Sequence, residues 1–312
     1  MNAFLQKYAK HVNEMSIGVF ELENWLKDAA TLGLAGLQQQ EDSYFENIAG
    51  RMVDLRLSNI ARRIRGLVTQ KYGPDWLPYF SKEIAELYLF VRQFKQYPKL
   101  SESQKMGWLQ QAGISLKKKD VLELQDPISD YWIVLGQREG EDDRLRWRRT
   151  WLWGEGYQDA ALILDFAWGG NPFEGEYKVG AALQADLCFY PSPLPQRALV
   201  QDVLLKDRPF ARLEGQDSIS SFTLQYTRAL AEAPGVRQIA GLLQGVIPFY
   251  QDGAFSCCDQ EGYYLQLSVN ETSGWQLVAT SAGKGIMLFG LFDGEAFEPY
   301  SAVANQRIIE IK

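Results

Sequence analysis

Residues 132–166 read Trp132-Ile-Val-Leu-Gly-Gln137, an acidic turn, Arg144-Leu-Arg-Trp-Arg-Arg-Thr-Trp-Leu-Trp-Gly154, then Ala160-Ala-Leu-Ile-Leu-Asp-Phe166. Before this stretch the apolar residues recur at helical spacing; after it they alternate or sit in short runs bounded by turn formers. The stretch therefore opens a β-rich half and closes a helical one. The fold class that follows is α+β: a helical domain over residues 1–126, then a mainly antiparallel β-rich domain over 127–312 with one inserted helix at about 217–233.

Within the stretch, Tyr131 to Arg138 reads as a strand, and Glu139-Gly-Glu-Asp-Asp143 as a turn. Residues 144–153 alternate. Leu145, Trp147, Arg149, Trp151 and Trp153 share one face; Arg144, Arg146, Arg148, Thr150 and Leu152 share the other. Ala160 to Phe166 is apolar on both faces and is expected to be central. Three such runs joined by turns predict an antiparallel meander. The aromatic face is expected to be core and the arginine face to be solvated.

That assignment makes Arg149 the residue to explain, because an arginine among buried tryptophans needs a carboxylate partner. Asp165 and Asp186, in neighbouring strands, are the candidates for a structural ion network with Arg149. On this reading Arg149→Ala costs roughly 3–5 kcal/mol, as for a broken buried pair. The two aspartates also define the one enzymatic alternative, a hydrolytic site of paired carboxylates. Arg144, Arg146 and Arg148 define a candidate basic surface, a nucleic-acid reading that the adjacent acidic turn disfavours. Arg62, Arg63 and Arg65 are read in the same way, as a solvated helix face.

Working toward the N-terminus, Phe4 to about Leu37 has helical spacing, with Gly18 and Thr31-Leu-Gly33 as candidate interruptions. Ser43 to Gln70 reads as one continuous helix. Gly73-Pro74 marks a stop, Trp76 to Lys95 a third helix, and Ser101 the N-cap of a fourth that ends near Gly113. Toward the C-terminus, strands are expected at Val179–Tyr190 and Arg197–Leu205, the second ending before Pro209. Asp252-Gly253 and Asp293-Gly294 each suit a two-residue hairpin turn. No internal sequence repeat is evident.

Composition bounds the function. The chain has 312 residues, 46% hydrophobic and 13% aromatic, enough for a substantial core. No apolar run is long enough for a membrane span, and the first residues lack an export signal, so a cytoplasmic protein with no membrane partner is expected. Three cysteines, Cys188, Cys257 and Cys258, with the single histidine His11, give neither a disulfide framework nor zinc-ligand spacing. No metal and no cofactor is expected. The net charge of −7 opposes broad attraction to phosphate backbones. Ala282-Gly-Lys-Gly285 fails as a phosphate loop, since Gly285 stands where a magnesium-holding Ser or Thr belongs. It is read as a hairpin turn.

Several blocks resemble bacterial SWIM zinc-finger family proteins: Trp132-Ile-Val-Leu-Gly-Gln-Arg138, Arg149-Thr-Trp-Leu-Trp-Gly154, Ala161-Leu-Ile-Leu-Asp-Phe-Ala167, Ala185 to Val200 and Ile286 to Ser301, with the helical Leu57-Ser-Asn-Ile-Ala-Arg-Arg-Ile-Arg65. The likeness is to the region that follows the finger. The finger itself, a Cys-x-Cys and a Cys-x-His, is absent from this sequence, so zinc binding does not carry over. The resemblance implies a non-catalytic interaction or scaffold protein. Its expected partners are a MoxR-type AAA ATPase, a von Willebrand A-domain protein, or a polypeptide that carries the finger.

Overall fold

A computed structural model describes residues 2–142, 144–208 and 213–312; Asp143 of the expected acidic turn and Pro209 lie outside them. The chain separates into two compact units. The first runs up to Lys117 and takes in Pro191–Pro193 and Glu232–Gly235; the second holds the rest. The first unit thus ends before the boundary expected at Asp126–Pro127.

The helical unit comprises α1 (Asn2–Lys7), α2 (Ala9–Gln38), α3 (Asp42–Asp54), α4 (Ser58–Gln70), α5 (Trp76–Lys95) and α6 (Glu102–Ala112). Its core is the apolar stripe of each helix, including Met15, Leu22, Phe45, Ile64, Phe80, Leu87 and Trp108, all buried. Two departures from periodicity have packing causes. Residues 43–70 form two helices rather than one, because Arg56 turns left-handed (φ 65°) and the Leu57 N–H donates to the Met52 carbonyl at 2.7 Å. That drops Leu57 into the core, where it is fully buried. Gly18 does not interrupt α2 but makes room for this: a Cβ there would come within 2.7 Å of Leu57 Cδ1. Gly33, with φ 70° and ψ 163°, is the residue that breaks α2.

Ser101 caps α6 as expected, accepting from the Gln104 N–H while the Gln104 side chain accepts from the Ser101 N–H. Ser101→Ala should lower stability by about 1 kcal/mol, read as a shift in denaturant midpoint at constant m-value.

The second unit begins with α7 (Lys118–Leu124), followed by β1 (Ile128–Asp142), β2 (Leu145–Gly154), β3 (Ala160–Trp168), β4 (Ala182–Phe189), β5 (Arg197–Arg208) and α8 (Ile219–Glu232). Then come β6 (Ile239–Gln251), β7 (Ala254–Cys258), β8 (Tyr264–Leu267), α9 (Glu271–Ser281), β9 (Ile286–Phe292), β10 (Ala296–Ala304) and β11 (Arg307–Glu310). The meander β1-β2-β3 forms as expected and then closes into a barrel in the order β1-β2-β3-β5-β4. Strands β6 to β10 repeat that order. β9 pairs with both β6 and β10, which closes the ring β6-β7-β8-β10-β9. In each ring the third and fifth strands are parallel. The first strand in each shifts register midway, at Val134/Gly136 and at Leu243/Val246, and so serves two neighbours. Gly245 supplies a positive φ (70°) at the second of these bends. The duplication is one of topology; the strands share alternation rather than residues.

A layer of Trp132, Val134, Leu152, Ile163, Leu187 and Phe189 fills the first barrel. Phe222 of α8 joins Leu243, Cys257, Leu288 and Phe297 in the core of the second. Between the barrels, Ile133, Leu135, Trp151 and Trp153 pack on Phe289, Leu291 and Tyr300. The helix expected at 217–233 is α8. Helix α9 was not expected: Gly274 and the Thr and Ser residues weaken its signal, although Asn270 caps it by accepting from the Ser273 N–H. Ala282-Gly-Lys-Gly285 is therefore not a hairpin turn but the exit from α9 into β9, with Ala282 left-handed (φ 46°). Asp252-Gly253 makes the expected two-residue turn, both φ positive (52° and 84°). At Asp293-Gly294 only the glycine is positive, and the Asp293 carboxylate accepts from the N–H groups of Glu295 and Ala296 in a longer loop. Among the described residues no helix is long and apolar enough to cross a membrane.

Candidate functional site

Strands β2 and β3 divide the chemistry of the molecule between their two faces. On the inner face Arg148 lies opposite Asp165. Its Nε and Nη2 donate to Asp165 Oδ2 at 3.2 and 2.8 Å, and Nη2 also donates to the carbonyls of Glu174 and Gly175 at 3.0 and 2.9 Å. The guanidinium sits 4.6 Å from the ring centre of Phe173 and 5.2 Å from that of Tyr177. Arg148 is only 7% exposed. One side chain thus ties the loop after β3 to the barrel. Burial pushes the Asp165 carboxyl above its ordinary value, with Arg148 opposing that shift. Burial, and then the Asp165 charge, push the Tyr177 phenol up to about 12.

The ion pair expected of Arg149 therefore forms one residue earlier, and Asp186 has no part in it. Asp186 instead accepts from the Ser129 hydroxyl and lies across from Asp202. The alternation has the expected phase, but closing the sheet makes the Arg148, Thr150, Leu152 side the barrel interior. Arg144, Arg146 and Arg148 consequently do not form one basic surface. Arg148 is buried, Arg146 lies over Phe173 and 3.7 Å from Glu139, and Arg144 is exposed at the strand start. Asp165 and Asp186 are each engaged by a different partner, and are not assembled as a carboxylate pair. In the helical unit Arg63 donates to Glu83 and Glu86, both at 2.8 Å, and Arg65 to Glu46, while the exposed Arg62 donates to the Asn59 side chain, so carboxylates take two of the three arginines of that run.

The outer face of the same strands carries Leu145, Trp147, Arg149, Trp151 and Trp153, opposite Trp168, Phe166, Leu164, Leu162 and Ala160. The second barrel covers only part of it. Trp151 and Trp153 are 4% and 6% exposed, whereas Phe166 and Trp168 are 51% and 62% exposed. Trp147 lies over Gly140, where a Cβ would come within 2.2 Å of the indole, and the Arg149 guanidinium stands 5.1 Å from the indole centre. This exposed cluster was not expected from sequence. The signal was the extension of the Ala160–Phe166 run by Ala167 and Trp168, which adds a second aromatic in phase with Phe166.

The remaining candidates hold no assembled chemistry. His11 packs against Tyr8, ring centres 5.5 Å apart. Cys257 is buried, and burial pushes its thiol up to about 12, which makes it a packing group rather than a nucleophile. A cavity of about 610 Å³ in the second unit is lined by polar groups, among them Asp217, Gln244, Thr280, Lys284 and Asn305. Among the described residues no group of three His, Cys, Asp or Glu side chains is placed to hold a metal.

Residues 10–110 match the family model of the SWIM-associated four-helix bundle domain. Helices α2 to α6 are thus a bundle of that type, and the match ends before the β unit begins. No curated protein and no solved structure matches the chain. The sequence carries no finger-type cysteine cluster: Cys188 is in β4, and Cys257 and Cys258 are adjacent in β7.

Proposed function

We propose that this protein is a non-catalytic interaction protein of the cytoplasm that works in the setting of SWIM-finger proteins. The observation that carries this reading is the match of residues 10–110 to the SWIM-associated bundle. The family resemblance of the β-half blocks supports it and suggests the partners: a MoxR-type AAA ATPase, a von Willebrand A-domain protein, or a finger-bearing polypeptide. The use made of the charged groups also favours it. Arg148 and Asp165 hold a loop to the barrel, and Arg63, Glu83 and Glu86 tie α4 to α5.

Affinity purification of the tagged full chain from its native host, quantified by mass spectrometry, tests the reading. One of the three partner classes should be recovered in near-stoichiometric amount. Recovery of the chain with none of them above an untagged control would contradict it.

A further inference from the structure

The cavity of about 610 Å³ stands at a defined place in the repeated topology. Its walls include Gly245 at the bend of β6, residues 285–287 at the entry to β9 and residues 303–305 at the end of β10. The matching place in the first barrel lies between Val134 at the bend of β1, residues 181–183 at the entry to β4 and Val203 of β5, and its cavity is only about 250 Å³. There the link from the third strand to the fifth closes in. Residues 175–178 form a further wall, with Arg148 holding the Glu174 and Gly175 carbonyls and Gln137 the Tyr177 carbonyl. A peptide segment thus packs at this opening in one barrel. In the second barrel the same link is helix α9, and the cavity is wider. Its walls are firmly set. Gly285 meets Gly245 backbone to backbone, since a Cβ on it would come within 2.9 Å of the Gly245 carbonyl oxygen. Gly245, Ala282 and Asn305 all hold left-handed φ (70°, 46° and 49°), which residues other than glycine adopt only when their surroundings impose it.

The geometry points to a binding site for a small zwitterion, a free amino acid or short peptide, whose carboxylate meets Lys284 and whose ammonium meets Asp217. Gln244 holds Asp217 in place: its Oε1 accepts from the Gly215 N–H at 3.2 Å and its Nε2 donates to the carboxylate. Among the described residues Lys284 Nζ has no hydrogen-bond or ion-pair partner, so the two charges stand apart on one cavity. Gln260 and Asn305 add amides, each able to donate to and accept from a peptide unit, and the buried Ile286 and Val303 supply apolar wall. The volume lies within the range of about 300–1,000 Å³ usual for small-molecule sites. Other ligand classes fit the lining less well. A phosphate would face Asp217 and the carbonyl end of α9. The first N–H groups of α8 are taken, Ile219 by Asp259 and Ser221 by the Ser218 hydroxyl, so that helix start is no anion site. A nucleobase would be stacked on an aromatic face, and none of the described lining residues is aromatic. A simple carboxylate would leave Asp217 without a counter-charge, and a simple amine would leave Lys284 so.

Equilibrium dialysis of the full chain, read by mass spectrometry, tests this with a mixture of the free amino acids, a pool of free tripeptides, and the same pool N-acetylated or C-amidated. The expected result is saturable retention of free amino acids or free tripeptides with Kd of about 1 mM or tighter, and weaker retention of both capped pools by about tenfold. Whichever free class is held more tightly identifies the source of the zwitterion. Lys284→Gln should weaken binding about tenfold and abolish the preference for a free over an amidated C-terminus. Asp217→Asn should do the same for a free over an acetylated N-terminus. Lys119→Gln, at an exposed lysine outside the cavity, should change neither. All three side chains are exposed, so thermal melts should show the variants folded. Absence of retention overturns the proposal, as does equal retention of the capped pools. Displacement of the ligand by inorganic phosphate alone would make the cavity an anion site and overturn it equally. So would a folded Lys284→Gln variant that still prefers the free C-terminus.

Discussion

Replacing Arg148 by alanine is expected to lower the stability of the β unit by about 3–5 kcal/mol, the cost of leaving one partner of a buried ion pair alone. Three acceptors lose their donor together: Asp165 Oδ2 and the carbonyls of Glu174 and Gly175. Phe173 and Tyr177 lose the guanidinium that packs on them. The deficit should depend on pH with a definite sign. Asp165 already has a raised carboxyl pKa in the folded protein, because burial outweighs Arg148. A carboxyl whose folded pKa is raised favours the folded state below its unfolded pKa, and that contribution is lost as pH rises through the folded value. Removing Arg148 takes away the opposing effect and raises the folded value further. The variant's deficit should therefore be smallest in acid, near the ordinary Asp value of about 4, and should grow toward neutral pH. Urea unfolding of both proteins across that range measures it. Arg149→Ala, at an exposed side chain, should stay within about 0.5 kcal/mol of the parent.

Phe289→Ala should have an effect of similar size for a different reason. Phe289 is fully buried between the two barrels, with ring centres 6.4 Å from Trp151 and 6.3 Å from Trp153. Deleting a core phenylalanine costs about 3–5 kcal/mol through lost transfer energy and the cavity left behind. The cavity would open beside two tryptophans, so their emission should shift to the red in the folded variant. The parent β unit should unfold in one transition, because the shared layer couples the barrels. Separation into two transitions in the variant would show the layer to be that coupling; unchanged stability would show that Phe289 is not packed as described.

What the residues disclosed and what they hid have physical explanations. Helices α5 and α6 were legible because Gly73-Pro74, Ser101 and Gly113 punctuate them chemically. The break between α3 and α4 was not, because Arg56 adopts a left-handed conformation for the sake of burying Leu57, and neither residue signals a turn. The strands of residues 128–168 were legible from period-two alternation, and so was the grouping of side chains on β2. Which group faces inward was not. A closed barrel packed against a second barrel buries part of both faces, so the hydrophobic pattern alone does not distinguish inside from outside. Arg148 could be interior because Asp165 and two carbonyls lie within reach, and that depends on the β2–β3 register rather than on either segment. The topological duplication was invisible for a related reason: it resides in strand order and bends, not in residues.

Hydroxyl-radical footprinting of the full chain, read residue by residue, tests most directly the claim that β2 and β3 hold structural charge inside and an open aromatic surface outside. Trp168 and Phe166 should be oxidised rapidly, while Trp132, Trp151 and Trp153 should be protected by the barrel interior and the interbarrel layer. Protection of Trp168 to the level of Trp132, or rapid oxidation of Trp151 and Trp153, would contradict it.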